Sequence, residues 1–323
     1  MAAPEGAQDE RNPGIAFEGG VCADLRVNLS AVERRIANVK GGRTVKKAWQ
    51  AAWLLKAISL IDLTTLKGDD TPGRVRRLCA KARSPLRDDL AAGLGIADWR
   101  LGVGAVCVYH AMVGVAVEAL EGSGIPVAAV STGFPAGHSP HHLKLKEIEA
   151  SVAAGAREID IVISRRHVLT GDWRALYREV KDFRAACGPA HMKAILATGE
   201  LATLGNVAKA AMVAMMAGAD FIKTSTGMET VNATLPVSLV MMRMIRAYEE
   251  MTGHKVGYKP AGGISSAKDA LLYLMLVKEE LGEVWLCPAL FRFGASSLLG
   301  DIERQLEHHL TGHYSAANRH PLA

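Results

Sequence analysis

From about Ala57 onward the chain alternates strand-like and helix-like segments with a regular beat. The strand-like runs are Ile58 to Leu63, Ala105 to Tyr109, Val127 to Ser131, Glu158 to Ile163, Met192 to Ala197, Phe221 to Thr224, Lys255 to Pro260 and Ala289 to Phe293. Gly124, Gly155, Gly188, Gly218 and Gly253 close the helix-like intervals just ahead of the next strand, the expected punctuation of a helix C-terminus. Strand and helix repeated in this way imply an α/β fold with a parallel sheet, and eight units predict closure into a (β/α)8 TIM barrel. An open doubly wound sheet would want a Gly-rich dinucleotide loop after its first strand. The chain instead reads Leu63-Thr-Thr-Leu-Lys-Gly-Asp-Asp70 there.

Three regions are expected. Residues 1–55 form an N-terminal tail and helical extension, polar to about Gly20 and then helical around Val32 to Lys40 and Arg43 to Leu55, where it would cap the barrel floor. Residues 56–311 form the barrel, and residues 312–323 a flexible C-terminal tail. The 49% hydrophobic composition supplies ample core for one large domain. No apolar stretch is long enough to span a bilayer, and Met1 to Gly14 carries acidic Glu5, Asp9 and Glu10, unlike a signal or transit peptide, so a cytoplasmic protein is expected. Cys22, Cys79, Cys107, Cys187 and Cys287 are scattered without C-x-x-C pairing, which argues for reduced thiols. The net charge of +5 is spread through helical segments; its densest patch, Arg43 to Lys47 near Trp49 and Trp53, reads as a solvated helix face. Nucleic acid is therefore not an expected partner, while a modest positive excess suits anionic substrates.

The chemistry concentrates on one phase of the strand alternation. Phe221-Ile-Lys-Thr-Ser-Thr-Gly227 places Lys223 inside an apolar strand, where an unpaired ammonium is costly. Burial depresses an amine's pKa from about 10.4, and a neutral amine attacks carbonyls to form a Schiff base. Lys259, in Val256-Gly-Tyr-Lys-Pro-Ala-Gly-Gly263, is a second cation able to lower the first one's pKa. Asp160, Lys193 and Asp62 share the inward phase while Ile159, Ile161 and Ile222 face the helices. Any one of these charges reads as well as a satisfied ion pair. Five on different strands make sense only if they converge near the C-terminal rim, where barrel enzymes keep their chemistry. Cys107 lies in an apolar strand with no evident base and reads as a pocket wall.

Two segments look like phosphate cradles: Gly262-Gly263-Ile264 after the seventh strand, and Gly294-Ala-Ser-Ser297 leading into a final helix. His138, His141 and His142 cluster near a Pro- and Gly-containing segment, without a carboxylate-histidine motif, and a solvated loop is expected there in place of a metal site.

With these residues in view, the chain resembles the deoxyribose-phosphate aldolases of the longer type. The resemblance runs from about Leu29 to Tyr314 and rests on Ile61-Asp-Leu-Thr-Thr-Leu66, Glu158-Ile-Asp160, Leu196-Ala-Thr-Gly-Glu200, Phe221 to Gly227, Val231-Asn-Ala-Thr234, Lys259-Pro-Ala-Gly-Gly263 and Phe293-Gly-Ala-Ser-Ser297. It implies a class I aldolase that reversibly cleaves 2-deoxy-D-ribose 5-phosphate to acetaldehyde and D-glyceraldehyde 3-phosphate, with a lysine imine and no metal or other cofactor. It also implies Lys223 as the Schiff-base lysine, Lys259 as its perturbing neighbour and Asp160 as the acid/base group. Asp62, Thr64, Cys107, Lys193, Thr226 and Tyr314 would position substrate. Gly227, Gly262, Gly263, Ile264, Gly294, Ser296 and Ser297 would hold phosphate. The sequence departs from the family pattern at Met228, where lysine is usual, at Ser265, where arginine is common, and at His110, where proline is common. The first two flank the expected phosphate site and point toward non-phosphorylated aldehydes. The expected partners are small aldehydes and the deoxysugar phosphate, with no membrane, and the chain is expected as a homo-oligomer with a dimer favoured. A transaldolase or keto-acid aldolase is the competing enzyme reading, and the motif set argues against it. A non-enzymatic sugar-phosphate-binding barrel would not need two buried lysines and Asp160.

Overall fold

The computed structural model describes residues 11–42 and 45–320; expectations placed on residues 1–10, on Arg43 and Thr44, and on residues 321–323 fall outside them. Eight strands form one sheet: β1 (Ile61–Thr64), β2 (Ala105–Tyr109), β3 (Val127–Ser131), β4 (Glu158–Val162), β5 (His191–Ile195), β6 (Phe221–Lys223), β7 (Gly257–Lys259) and β8 (Phe293–Ala295). Neighbours pair in parallel in the order β7-β6-β5-β4-β3-β2-β1-β8. The two ends meet through backbone hydrogen bonds from Tyr258 N–H to the Leu290 carbonyl (2.9 Å), Arg292 N–H to the Tyr258 carbonyl (3.1 Å) and Gly294 N–H to the Pro260 carbonyl (2.9 Å). The predicted (β/α)8 barrel is therefore present, and all five punctuating glycines have positive φ.

The helices start where side chains satisfy the free backbone N–H groups of the first turn. Thr71, Asp172, Thr203, Thr234 and Ser266 each accept a hydrogen bond from a backbone N–H three residues on, an arrangement that stabilises by about 1 kcal/mol per helix. Helix side chains then pack on the outward phase of the strands. Ile159, Ile161, Met192, Ala194, Ile222 and Tyr258 all join a single core cluster between strands and helices. A second, small cluster of Cys107, Ala128 and Val130, flanked by Leu66, Tyr109 and Phe134, lies on the inward phase.

Strand limits differ from expectation at both ends of the sheet. Ile58 and Ser59 end the helix Lys47–Ser59, because Ala51, Leu54, Leu55, Ala57 and Ile58 make one buried helical face; β1 begins only at Ile61. β8 begins at Phe293, four residues later than predicted, because Leu290 and Phe291 N–H groups turn back to the Cys287 carbonyl. β7 is confined to Gly257–Lys259, since Pro260 has no N–H to continue a ladder.

The extension does not cap the barrel floor. Its helices Leu29–Gly41 and Lys47–Ser59 lie against the outer helices Leu235–Thr252, Ala267–Glu280 and Leu298–Thr311. Val32, Ile36 and Val39 are buried there, and Arg35 pairs with Glu279 and Glu280 at 2.8 Å each. The segment before them is equally anchored. Asn12 is buried; its amide nitrogen donates to the Met215 and Ala219 carbonyls (2.8 and 2.9 Å), and its oxygen accepts from the Tyr248 hydroxyl at 2.9 Å. The C-terminal segment packs too: His320 is buried between Glu307 (2.7 Å) and Ser315 (3.0 Å). Among the described residues no helix is long and apolar enough to cross a membrane.

Candidate active site

Strand pairing brings the predicted charges together. Asp160 on β4 stands opposite Lys193 on β5, and Lys223 on β6 opposite Lys259 on β7. One carboxylate links all three amines: Asp160 accepts from Lys193 (2.9 Å), Lys223 (2.8 Å) and Lys259 (2.8 Å). Asp62 on β1 closes the other side through an ion pair with Lys259.

Two members of the cluster were not singled out from the sequence. Glu158 accepts from Lys193 at 2.5 Å, and the Arg292 guanidinium bridges Asp62 (2.6 Å) and Glu158 (2.9 Å). Both carried the same alternation signal. Glu158 is two residues before Asp160 on one strand, and Arg292 separates the outward-facing Phe291 and Phe293.

Lys193, Lys223, Lys259 and Arg292 face Asp62, Glu158 and Asp160, so four basic groups meet three acidic ones. The charges balance when one base is neutral, and Lys223 is the group driven that way. Burial lowers its pKa, Asp160 opposes, and the Lys259 ammonium adds to the lowering; the net direction is down. Lys259 goes the other way: burial works against its charge, but Asp160 and Asp62 overcome it and hold it ionised. Lys193 is likewise held up, against burial, by Asp160 and Glu158. Burial would raise the Asp160 carboxyl, yet Lys193, Lys223 and Lys259 keep it well below the usual range. Asp62 is depressed in the same sense, against burial, by Lys259 and Arg292. Lys223 is also the one lysine of the three with any exposure, 3% against 0% for Lys193 and Lys259.

The wall beside the amines is apolar. Cys107 is buried with Ala128 and Val130, and burial, then Asp160, pushes its thiol up and keeps it protonated. Gly294 serves Lys259: a Cβ there would stand 2.7 Å from the Ala261 Cβ and 3.2 Å from the Lys259 Cε, so a side chain would crowd the lysine stem. This gives Gly294 a steric role inside the barrel wall, distinct from the expected phosphate contact. Lys193, wholly enclosed by Glu158 and Asp160, is an inner member of the charge network. The Thr64 hydroxyl donates to the Asp62 carbonyl (2.7 Å).

The expected anion donors surround the C-terminal rim. Gly262 and Gly263 have φ of +77° and +78°, and the turn they form touches the strand end before Ser296 and Ser297 through the Ala261–Gly294 bridge. Ser296 and Ser297 are exposed at the start of the helix Leu298–Thr311, whereas Ile264 is buried. Gly227 begins the same rim after β6, but the N–H groups of Thr226 and Gly227 are already turned onto the Glu229 carboxylate. Met228 and Ser265 are exposed beside these turns, and His110 opens a short turn after β2.

Tyr314 is not in the site. It is 88% exposed and stacks on His308, with ring centroids 4.7 Å apart. The final helix of 14 residues, roughly 21 Å at 1.5 Å per residue, carries it from the rim to the far end of the barrel. His141 and His142 open a helix where a loop was expected, and His141 meets Asp182 at 2.9 Å and stacks on Phe183. Among the described residues no group of three or more His, Cys, Asp or Glu is placed to hold a metal. A cavity of about 950 Å³ opens at the opposite end, below the strand N-termini, between Arg83, Arg100, Arg157 and the Arg292 floor of the charge network.

An amine poised to lose its proton, touching a carboxylate at the C-terminal end of a (β/α)8 barrel's strands, defines an aldolase-type lysine enzyme. Residues 56–299 match the DeoC/LacD family aldolase model, and the chain belongs to that family. It is 57% identical to a human deoxyribose-phosphate aldolase over 97% of this chain and 99% of the relative. It is 60% identical to the mouse deoxyribose-phosphate aldolase over 93% of this chain and 95% of the relative. Among solved structures, the tetrameric deoxyribose phosphate aldolase of Aeropyrum pernix shares the fold at 24% identity and a TM-score of 0.59, over 82% of this chain and 97% of that one.

Proposed function

We propose that this aldolase cleaves 2-deoxy-D-ribose 5-phosphate reversibly to acetaldehyde and D-glyceraldehyde 3-phosphate through an imine on Lys223. The observation that carries the reading is the 2.8 Å contact between Lys223 Nζ and Asp160 inside a cluster whose charge balances with Lys223 neutral. Sequence identity of 57–60% to aldolases of that name supports the substrate.

The Lys223 amine adds to C1 of the open-chain sugar, and loss of water leaves a protonated imine. The C2–C3 bond then breaks. Its electron pair moves onto the imine to form an enamine, and the C3 hydroxyl proton passes to Asp160 as C3 becomes the aldehyde carbon of glyceraldehyde 3-phosphate. The enamine carbon takes that proton back from Asp160, water hydrolyses the imine, and acetaldehyde leaves. Lys259 stays charged and keeps the Lys223 nitrogen from retaining a proton at rest. Backbone donors at Gly262, Gly263, Ser296 and Ser297 would hold the phosphate. Because the imine is the electron sink, no metal or other cofactor is proposed. Scattered thiols, four of five buried, suit a reducing compartment, and we place the protein in the cytoplasm as a homodimer.

Treatment with acetaldehyde and borohydride tests the assignment. Mass mapping should find the reduced adduct on Lys223 and its yield should survive prior dialysis against EDTA. An adduct on Lys259 or Lys193, or loss on chelation restored by zinc, would overturn it.

A further inference from the structure

The turn after β6 already holds an anion, and the anion belongs to the chain. Thr226 N–H donates to Glu229 Oε1 (3.0 Å) and Oε2 (3.1 Å), Gly227 N–H donates to Oε2 (3.1 Å), and the Thr226 hydroxyl donates to Oε2 (2.8 Å). Successive N–H groups converging on one oxygen are the donor geometry that binds phosphate and carboxylate groups. This cradle begins three residues beyond Lys223 and borders the Gly-Gly turn: a Cβ on Gly227 would first meet the Gly262 Cα, at 4.0 Å. Glu229 is half-buried, and among the described residues it has no lysine, arginine or histidine within ion-pairing distance. Its neighbours on the rim, Met228 and Ser265, are uncharged. An uncompensated negative charge thus stands where the anionic end of a substrate reacting at Lys223 would approach.

We infer that Glu229 is a specificity-determining residue: an internal anion that fills the β6 cradle and selects against the phosphorylated end of the substrate. Phosphate gains these donors only by displacing the carboxylate, whereas a neutral hydroxyaldehyde does not compete with it. The consequence is an aldolase with reduced preference for phosphorylated over neutral sugars. The inference rests on the aldolase reading above and names the residue that sets its anion preference. It differs from a purely structural role, in which Glu229 would only fasten the turn together with the Met228 N–H to Thr226 hydroxyl bond (3.1 Å). A fastener would affect every substrate alike.

Glu229→Gln separates the two, because the amide oxygen still accepts hydrogen bonds while the charge is gone. Steady-state kinetics of the full-length variant should show kcat/KM for deoxyribose 5-phosphate, relative to deoxyribose, rising by about tenfold, the scale of one partly screened charge interaction. The change should lie in KM for the phosphorylated sugar, with deoxyribose turnover within about twofold of the unmodified chain. Titration with inorganic phosphate, followed by calorimetry, should show tighter binding to the variant by a similar factor. That titration stands whether or not the sugar is cleaved. If neither protein cleaves either sugar, the activity reading fails, and the phosphate titration alone decides the role of Glu229. An unchanged or smaller substrate ratio with unchanged phosphate binding, or equal losses for both sugars, would overturn the inference.

Discussion

The three largest influences on Lys223 are opposed. Burial and the Lys259 ammonium favour the neutral amine, and the Asp160 carboxylate favours the ammonium. Their net effect places its pKa below the ordinary lysine value, so the reactive neutral fraction grows as pH rises through that lowered pKa. Removing Asp160 removes the largest influence holding the proton on. In Asp160→Asn the acid limb of imine formation should move to lower pH, even as turnover falls by about 10²- to 10⁴-fold with loss of the proton-transfer group. In Lys259→Met it should move to higher pH, because the repelling cation is gone. The check is the pH dependence of cyanoborohydride trapping with acetaldehyde. Shifts in the reverse directions, or none, would show that these two residues do not set the Lys223 pKa. At this scale much was legible: Lys223, Lys259, Asp160 and Asp62 announced themselves by charge at the inward phase of apolar strands. Glu158 and Arg292 share that phase, but Glu158 opens β4 and Arg292 immediately precedes β8, and a charge at the start of a strand reads equally as a solvent-facing one.

Strands and turns place the donors, and here helix caps and Gly-Gly turns were readable while side-chain traffic was not. Met228 and Ser265, at the positions where the resemblance leads one to expect lysine and arginine, lie on adjoining turns and are both exposed. Supplying those charges with Met228→Lys plus Ser265→Arg should raise the kcat/KM ratio of deoxyribose 5-phosphate over deoxyribose by about tenfold or more, since a hydrogen bond to a charged group is worth roughly 1.5–3 kcal/mol before solvent screening. An unchanged ratio would remove these positions from phosphate recognition. Thr226 and Gly227 illustrate why motif spacing alone misleads. Their donors are present as expected, but the partner they face is Glu229, two or three residues away in a turn whose path no periodicity records.

At the scale of the whole molecule, the N-terminal segment is part of the packed structure. Asn12→Ala would leave the Ala219 carbonyl and the Tyr248 hydroxyl without partners in a buried place, and would leave the Met215 carbonyl only its Gly218 N–H bond. At about 1–3 kcal/mol for each group left unsatisfied, with partial relaxation, a loss of about 2–4 kcal/mol is expected in urea unfolding. A change under about 0.5 kcal/mol would show that the segment contributes little. The sequence by itself determined the barrel, its eight units and the charges that would face inward, because parallel strands buried on both faces repeat every two residues and leave polar exceptions conspicuous. Only the tertiary structure decided where the extension docks, that Tyr314 lies beside His308 far from the rim, and that Glu229 fills the cradle after β6. Those outcomes depend on contacts between segments distant in the chain or on turn geometry, and neither leaves a local pattern of charge or hydrophobicity to read.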